Sequence, residues 1–234
     1  MAPYHRIYRI ALVLLLAAVA GCGGNESPDI SALAITEMKK GDDFRDGGDL
    51  DTAIACYTEA IRLNPNRAAS YFNRGIMYGD KSEDDKAIKD FTQAIRLDPN
   101  DAGAYYNRGI AYSNKGKYDK TIKDYTEAIR LEPNYAEAYR WRGIAYSKKG
   151  EFDKAIGDWT EAIRLNPSDA RVYSSRGFAY HFKGEYDKAI EDYTKVIRLK
   201  PNWAWAYRRR GNAYSKKGDL QKAKADFDKA ESLR

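Results

Sequence analysis

The sequence predicts an all-α solenoid built from six helical hairpins. Prolines recur every 34 residues from Pro65 to Pro201, and glycines recur with the same period from Gly41 to Gly211. Each period contains two helix-length segments in which apolar residues are spaced three or four apart. One hairpin alone cannot bury both of its apolar faces, so the copies are expected to stack against one another.

The segment 136–169 shows the repeating unit most clearly. Its first helical segment places Tyr139 and Gly143 on one face, and its second places Ala155 and Trp159 on the facing side. The small residues allow the two backbones to approach, while the aromatic residues fill the space beside them. With position one at Ala34, the six units are 34–67, 68–101, 102–135, 136–169, 170–203 and 204–234.

The residue pattern of the unit resembles the tetratricopeptide repeat. An aromatic residue stands at position 4, glycine at 8, tyrosine at 11, alanine at 20 and 27, an aromatic residue at 24 and proline at 32. The resemblance covers residues 34–234. It implies a right-handed superhelical solenoid with a concave face on which ligands usually bind, but it does not specify an activity.

The first 21 residues differ from the rest of the chain in composition. Arg6 and Arg9 precede an uncharged apolar run of 11 residues from 10 to 20, which is shorter than the roughly 20 residues that span a membrane as a helix. This arrangement favours a cleaved signal peptide over residues 1–21. The sequence around Cys22, Val-Ala-Gly-Cys, resembles the lipobox of bacterial lipoproteins and implies lipid attachment at Cys22. The alternative is an ordinary secretory peptide followed by an incidental cysteine.

Residues 22–33 are expected to form the lipidated cysteine and a flexible tether. Cleavage removes Arg6 and Arg9, which lowers the formal net charge from +6 to +4. If the cell has two membranes, Gly23 and Gly24 favour, by the same resemblance, the outer membrane. We therefore expect an exported, mildly basic, membrane-anchored lipoprotein, which in a cell with two membranes faces the periplasm.

The two ends of the array differ from its middle. Positions 21 and 28 hold isoleucine in five units but Lys224 and Glu231 in the last. Burying an isoleucine is worth about 1.5–3 kcal/mol, whereas burying an unpaired charge is unfavourable, so these positions are predicted to pack against the next unit. We expect the array to end at Arg234. The first unit, with Glu37 and Lys40 in place of tyrosine and arginine, is expected to be the other terminal unit.

Position 7 is arginine and position 23 is aspartate in the last five units, whereas the first unit has Lys40 and Cys56 there. This joint absence predicts a salt bridge within each hairpin; the alternative is that both are solvated charges. Because Cys22 and Cys56 are the only cysteines and Cys22 carries the lipid, no disulfide is expected within the chain.

A second stripe, at positions 2, 5, 9 and 12 of each first helix, is turned away from the aromatic and glycine face. It is acidic toward the N-terminus, with Asp42, Asp46 and Asp80, and basic and aromatic toward the C-terminus. We predict a groove for an extended or helical peptide with an acidic part; the alternative is that the charges only keep the solenoid soluble. The predicted groove residues are Phe72, Asn73, Tyr106, Asn107, Arg140, Trp141, Lys148, Arg171, Phe178, Trp205, Arg208 and Arg209.

Catalytic residues, metal ligands and cofactors are not predicted. His5 lies in the signal peptide, and His181 has no accompanying Cys, Asp or Glu constellation; no phosphate-binding loop or metal-ligand spacing occurs. Nucleic acid is not an expected partner either, because the protein is exported and the N-terminal end of the groove is acidic.

We therefore expect a non-enzymatic interaction scaffold, monomeric on its own, that holds peptide segments of other proteins. Lipoproteins of this design resemble two groups, pilotin-like assembly factors and adaptors for peptidoglycan hydrolases or proteases, and the sequence does not choose between them. The alternatives are a self-associating structural component of the envelope and an enzyme or regulatory subunit of an envelope hydrolase or protease.

Overall fold

The computed structural model describes residues 29–233, which form twelve α-helices without a strand. The signal peptide, Cys22 and the beginning of the tether lie outside the described residues. The helices are α1 Ile30–Asp46, α2 Leu50–Leu63, α3 Ala68–Asp80, α4 Asp84–Leu97, α5 Ala102–Asn114, α6 Tyr118–Leu131, α7 Ala136–Lys148, α8 Phe152–Leu165, α9 Ala170–Phe182, α10 Tyr186–Leu199, α11 Ala204–Lys217 and α12 Leu220–Ser232. Odd-numbered helices are the first helices of the six hairpins and even-numbered helices are the second, which confirms the all-α repeat architecture.

The helices end near the glycine and proline positions that recur along the array. Five of the six hairpins turn on a glycine with positive φ, such as Gly150 at 78°, and Ser82 adopts φ 59° in the remaining one. Second helices end two residues before the proline, as α8 does at Leu165, because the residue before a proline disfavours helical geometry.

The N-terminal boundary differs from the prediction. Helix α1 begins at Ile30, so residues 30–33 are helical and do not belong to the tether. The reason is Asp29, whose carboxylate accepts a hydrogen bond from the Ser31 backbone N–H at 2.9 Å and so caps the helix.

The core of each hairpin is an aromatic side chain packed against a glycine. Trp159 is only 2 % exposed, and a Cβ atom placed on Gly143 would lie 2.7 Å from its Nε1 atom. Consecutive hairpins meet through the isoleucines: Ile156 and Ile163 pack against the cluster that contains Val172 of the next repeat. Residues at positions 21 and 28 therefore pack against the next unit, as predicted. In the last unit Lys224 and Glu231 hold these positions and are exposed.

The predicted arginine–aspartate salt bridge is present in all five hairpins that carry both residues. In the fourth, Arg142 donates from Nε and Nη2 to the two carboxylate oxygens of Asp158 at 2.8 and 2.7 Å. Its Nη1 also donates to Thr126 Oγ1 of the preceding repeat at 3.0 Å, so the group links two hairpins as well as two helices. The same three bonds recur around Arg74, Arg108, Arg176 and Arg210.

A second polar link joins each pair of neighbouring hairpins. Lysine at position 14 pairs with aspartate at position 18 of the preceding unit, as Lys149 does with Asp119 at 2.7 Å. The terminal units have Gly47 and Gln221 at the two positions that lack a described neighbour. The other four salt bridges of this kind are Lys81–Asp51, Lys115–Asp85, Lys183–Asp153 and Lys217–Asp187.

Candidate functional site

The first helices of repeats 4, 5 and 6 enclose an open depression of about 230 Å³, which we call the α7–α9–α11 cleft. Its apolar walls come from the first helices and from one buried tryptophan below them, while its floor is partly hydroxylic. The lining residues are Ile144, Ser147, Lys148, Trp159, Ser174, Ser175, Phe178 and Trp205.

The cleft exists because repeat 5 has a small residue at position 5. That position is Phe72, Tyr106, Arg140 and Arg208 in repeats 2, 3, 4 and 6, but Ser174 in repeat 5. A hydroxymethyl group occupies less of that volume than the half-buried side chains of Phe72, Tyr106 and Arg140 at the same position. The sequence analysis missed Ser174 and Ser175; the available signal was a small residue where the equivalent positions are bulky.

The aromatic wall of the cleft is held in place by its neighbours. Trp205 stacks on Trp203 with ring centroids 5.1 Å apart and meets Tyr193 edge-on at 6.0 Å. The Arg209 guanidinium lies 5.1 Å from the Trp205 ring and 5.7 Å from the Phe178 ring, within range of a cation–π interaction. A predicted cation and two predicted aromatic residues thus come together at one place.

Positive charge lies in and beside the cleft: Lys148 lines it, and the Arg209 guanidinium lies against Phe178 and Trp205, with Arg208 and Lys216 on the same helix as Arg209. Lys148, Arg208, Arg209 and Lys216 form no ion pair with any residue between 29 and 233. Burial, and then the charges of Arg209 and Lys216, lower the pKa of the His181 imidazole. The cleft therefore presents an apolar surface with two cations at its edge, Lys148 and Arg209, that are unpaired within the described part of the chain.

Two of the predicted cations are compensated locally. Arg171 donates from Nε and Nη2 to both oxygens of Asp169 at 2.9 and 2.8 Å. Arg140 is only 12 % exposed, its Nε lies 4.0 Å from Asp169, and its guanidinium stacks 4.3 Å above the Trp141 ring. Burial, followed by the charge of Arg171, lowers the pKa of Arg140. The basic end of the first-helix face is therefore shorter than predicted.

The two predicted groove asparagines use their amide donors within the protein. Asn73 Nδ2 donates to Asp42 Oδ1 at 3.2 Å, and Asn107 Nδ2 donates to the Gly103 carbonyl at 2.8 Å. Asp42 also accepts from the Tyr57 hydroxyl at 2.7 Å. These groups hold the N-terminal repeats together more than they offer free hydrogen bonds to a ligand.

The predicted aromatic residues of repeats 2 and 3 are half-buried. Phe72 meets Phe91 edge-on with centroids 5.9 Å apart, and Tyr106 stacks on Tyr135 at 4.9 Å. Both pack helix against helix, whereas Phe178 in repeat 5 is 37 % exposed.

Within residues 29–233 no helix is long and apolar enough to cross a membrane. The same part of the chain holds no group of three or more His, Cys, Asp or Glu side chains placed to bind a metal ion.

Comparison with protein families places tetratricopeptide repeats over most of the chain. A family model described as TPR repeat matches residues 41–82, 77–116, 145–184 and 179–218. Three models described as tetratricopeptide repeat match residues 102–135, 124–157 and 206–234. No curated protein matches this chain in sequence.

Solved structures with a similar fold are also tetratricopeptide repeat proteins or are similar to this chain over most of their length. The crystal structure of MamA is 33 % identical, with a TM-score of 0.67 over 69 % of this chain and 94 % of that one. YrrB, described as a TPR protein with an unusual peptide-binding site, is 25 % identical, with a TM-score of 0.69 over 76 % of this chain and 92 % of that one. A tetratricopeptide repeat protein from Parabacteroides merdae is 23 % identical, with a TM-score of 0.73 over 86 % and 80 %, and supports the fold alone.

Proposed function

Because the chain belongs to the tetratricopeptide repeat family, we propose that it is a monomeric, non-catalytic scaffold that holds a peptide segment of a partner protein on its first-helix face. The α7–α9–α11 cleft carries this proposal, since it combines fixed aromatic walls with cations that have no described partner. Aromatic and arginine side chains supply most of the affinity at protein interfaces. The likeness to YrrB, whose description includes a peptide-binding site, supports the same function.

The scaffold is anchored to the cell envelope through a lipid on Cys22, facing the periplasm from the outer membrane where the cell has two membranes. The lipobox resemblance at residues 19–22 supports this. Seven residues separate Cys22 from Ile30, where α1 begins, and seven extended residues span at most about 25 Å. The first repeat would therefore stay close to the membrane surface. A Cys22→Ala variant should leave the membrane fraction and lose palmitate labelling, whereas Cys56→Ala should change neither.

The role that fits an anchored scaffold is the assembly of an envelope complex, or the delivery of a hydrolase or protease to its substrate. Site-specific photo-crosslinking in cells tests the shared premise. A photoreactive amino acid at Ser175, in the cleft, should capture a partner protein. The same group at Lys89, exposed on second helix α4, is the control. Capture from position 89 but not 175 would assign recognition to the other face. Concentration-dependent oligomers in sedimentation, with self-crosslinks only, would identify a structural component instead.

A further inference from the structure

The space left by Ser174 has the size of one large side chain. The whole α7–α9–α11 cleft, to which that space belongs, has a volume of about 230 Å³, corresponding to about eight water molecules at roughly 30 Å³ each. Ile144, Phe178 and Trp205 supply its apolar walls, so an apolar side chain that displaces this water is favoured. A complete helix would not fit into it, whereas a single anchoring residue would.

The cations nearest that space are unpaired in the part of the chain that the structure describes, as are exposed lysines elsewhere in the array such as Lys89 and Lys123; what distinguishes the cleft is that its cations lie beside apolar and aromatic walls. Every position-14 lysine of the later repeats has an aspartate partner, and Arg171 has Asp169. Lys148, Arg208, Arg209 and Lys216 have no such partner among residues 29–233. Because complementary charge across an interface sets specificity and association rate, the missing anions are expected on the ligand.

We propose that the α7–α9–α11 cleft binds an acidic peptide segment that places one bulky apolar side chain in the space beside Ser174 and its carboxylates against the surrounding cations. This refinement rests on the proposed function. A single-stranded nucleic acid would also use cations and aromatic rings, but it needs a longer basic track. Here the face becomes acidic toward the other end, at Asp42, Asp46 and Asp80.

Selection of random 12-residue peptides on the purified protein tests the ligand class. The enriched peptides should carry net negative charge and share one aromatic or large aliphatic residue. Their affinity should fall about tenfold or more in an Arg208→Glu/Arg209→Glu variant, because repulsion replaces attraction at the rim. Lys89→Glu/Lys123→Glu, with the same charge change on exposed positions of second helices, should bind normally. Replacing the acidic residues of the best peptide by lysine should restore binding to the Arg208→Glu/Arg209→Glu variant.

A variant that fills the space tests the anchor separately from the charge. Ser174→Tyr copies the residue at the equivalent position of repeat 3, Tyr106, so the protein should fold while the peptide loses about tenfold or more in affinity through exclusion of its anchor. Gly157→Tyr, on the exposed side of α8 where a Cβ atom meets nothing within 4 Å, is the control for added bulk. Circular dichroism establishes that both variants are folded.

The outcomes separate this refinement from the proposed function. Enrichment of neutral or basic peptides that still require an open space beside Ser174 would overturn the acidic ligand and leave the peptide-binding scaffold standing. Absence of any enriched peptide, together with the absence of crosslinks from position 175, would overturn both. Binding of a fluorescent oligothymidylate that is lost in the Arg208→Glu/Arg209→Glu variant, without binding of any acidic peptide, would overturn the peptide class in favour of nucleic acid.

Discussion

Removing one partner of the Arg142–Asp158 pair should destabilise the protein strongly, although removing both should cost less than the sum. The pair is largely buried, with side chains 15 % and 9 % exposed, and its atoms approach to 2.7 Å. Burial raises the pKa of Asp158 although Arg142 donates two hydrogen bonds to it, so the carboxylate is poorly hydrated and depends on its partner.

The expected loss of stability comes from leaving the buried Asp158 carboxylate without its charged partner. Breaking a buried ion pair by removing one partner costs about 3–5 kcal/mol, and Arg142→Leu also loses the hydrogen bond to Thr126, worth about 1 kcal/mol. The double variant Arg142→Leu/Asp158→Ala leaves no unpaired buried charge, and the exposed Thr126 hydroxyl can accept a hydrogen bond from water instead. The interaction energy of the cycle is therefore expected to be about 2–3 kcal/mol.

Urea unfolding of the four proteins of the cycle measures this energy. Circular dichroism follows all helices, whereas fluorescence follows repeats 4–6 alone, because Trp141, Trp159, Trp203 and Trp205 are the four tryptophans of the chain. Coincidence of the two transitions checks for two-state unfolding, which repeat arrays can lose; where they differ, the fluorescence transition is the relevant one.

A matched cycle on an exposed pair is the control for the experiment. Arg164 and Glu161 approach to 2.8 Å but are 62 % and 43 % exposed, so their coupling energy should be much smaller than that of the buried pair. Equal, small coupling energies in the two cycles would refute the reasoning and make the Arg142–Asp158 contact a solvated surface pair.

Three further predictions concern packing, pH and salt. Gly143→Ala should cost about 1–3 kcal/mol in urea unfolding, since its Cβ atom would meet the Trp159 indole at 2.7 Å, whereas Gly157→Ala, with open space around its Cβ, should stabilise by about 0.5–1 kcal/mol; the opposite order would contradict the packing described. Burial and neighbouring cations lower the pKa of His181 below 6.5, so the unfolded chain binds more protons than the folded protein as the pH falls through that value. The wild type should therefore lose stability relative to His181→Gln between about pH 7.5 and about pH 5.5, and the absence of this trend would contradict the buried environment described. Lys149→Ala removes one exposed lysine–aspartate pair between repeats and should lower the free energy of unfolding only slightly, with the difference vanishing in 1 M salt, where the Debye length is about 3 Å; a large, salt-independent loss would mean that the pair is effectively buried.

The helices were predictable because their signals are local and repeat with the chain. A left-handed residue after the first helix and a proline after the second, as at Gly150 and Pro167, mark the same boundaries in most units. The arginine–aspartate pair was predictable for a related reason, since its absence from one unit identified its two members together. The threonine that completes the contact, such as Thr126, was missed because it belongs to the preceding unit.

The candidate site was less predictable because it depends on what fills space and what neutralises charge. Ser174 has no distinctive chemistry, and its importance appears only when the larger residues at the equivalent positions define the volume it leaves open. Asp169 lies at a repeat boundary, where its position in the sequence predicts a helix cap. In the folded chain its carboxylate also pairs with Arg171 and lies near Arg140. Sequence spacing along one helix face does not contain such contacts between units.

The two recurring links between hairpins use the same residue types at every junction, so with respect to these links the inner units are interchangeable. Deleting residues 102–135 would place Arg142 opposite Thr92 and Lys149 opposite Asp85, which are the same residue types that meet at the present junction. The length of the array can thus change by whole units without a new core having to be found. The distance along the array between the acidic residues of the first repeats and the α7–α9–α11 cleft would then shorten or lengthen by one repeat at a time.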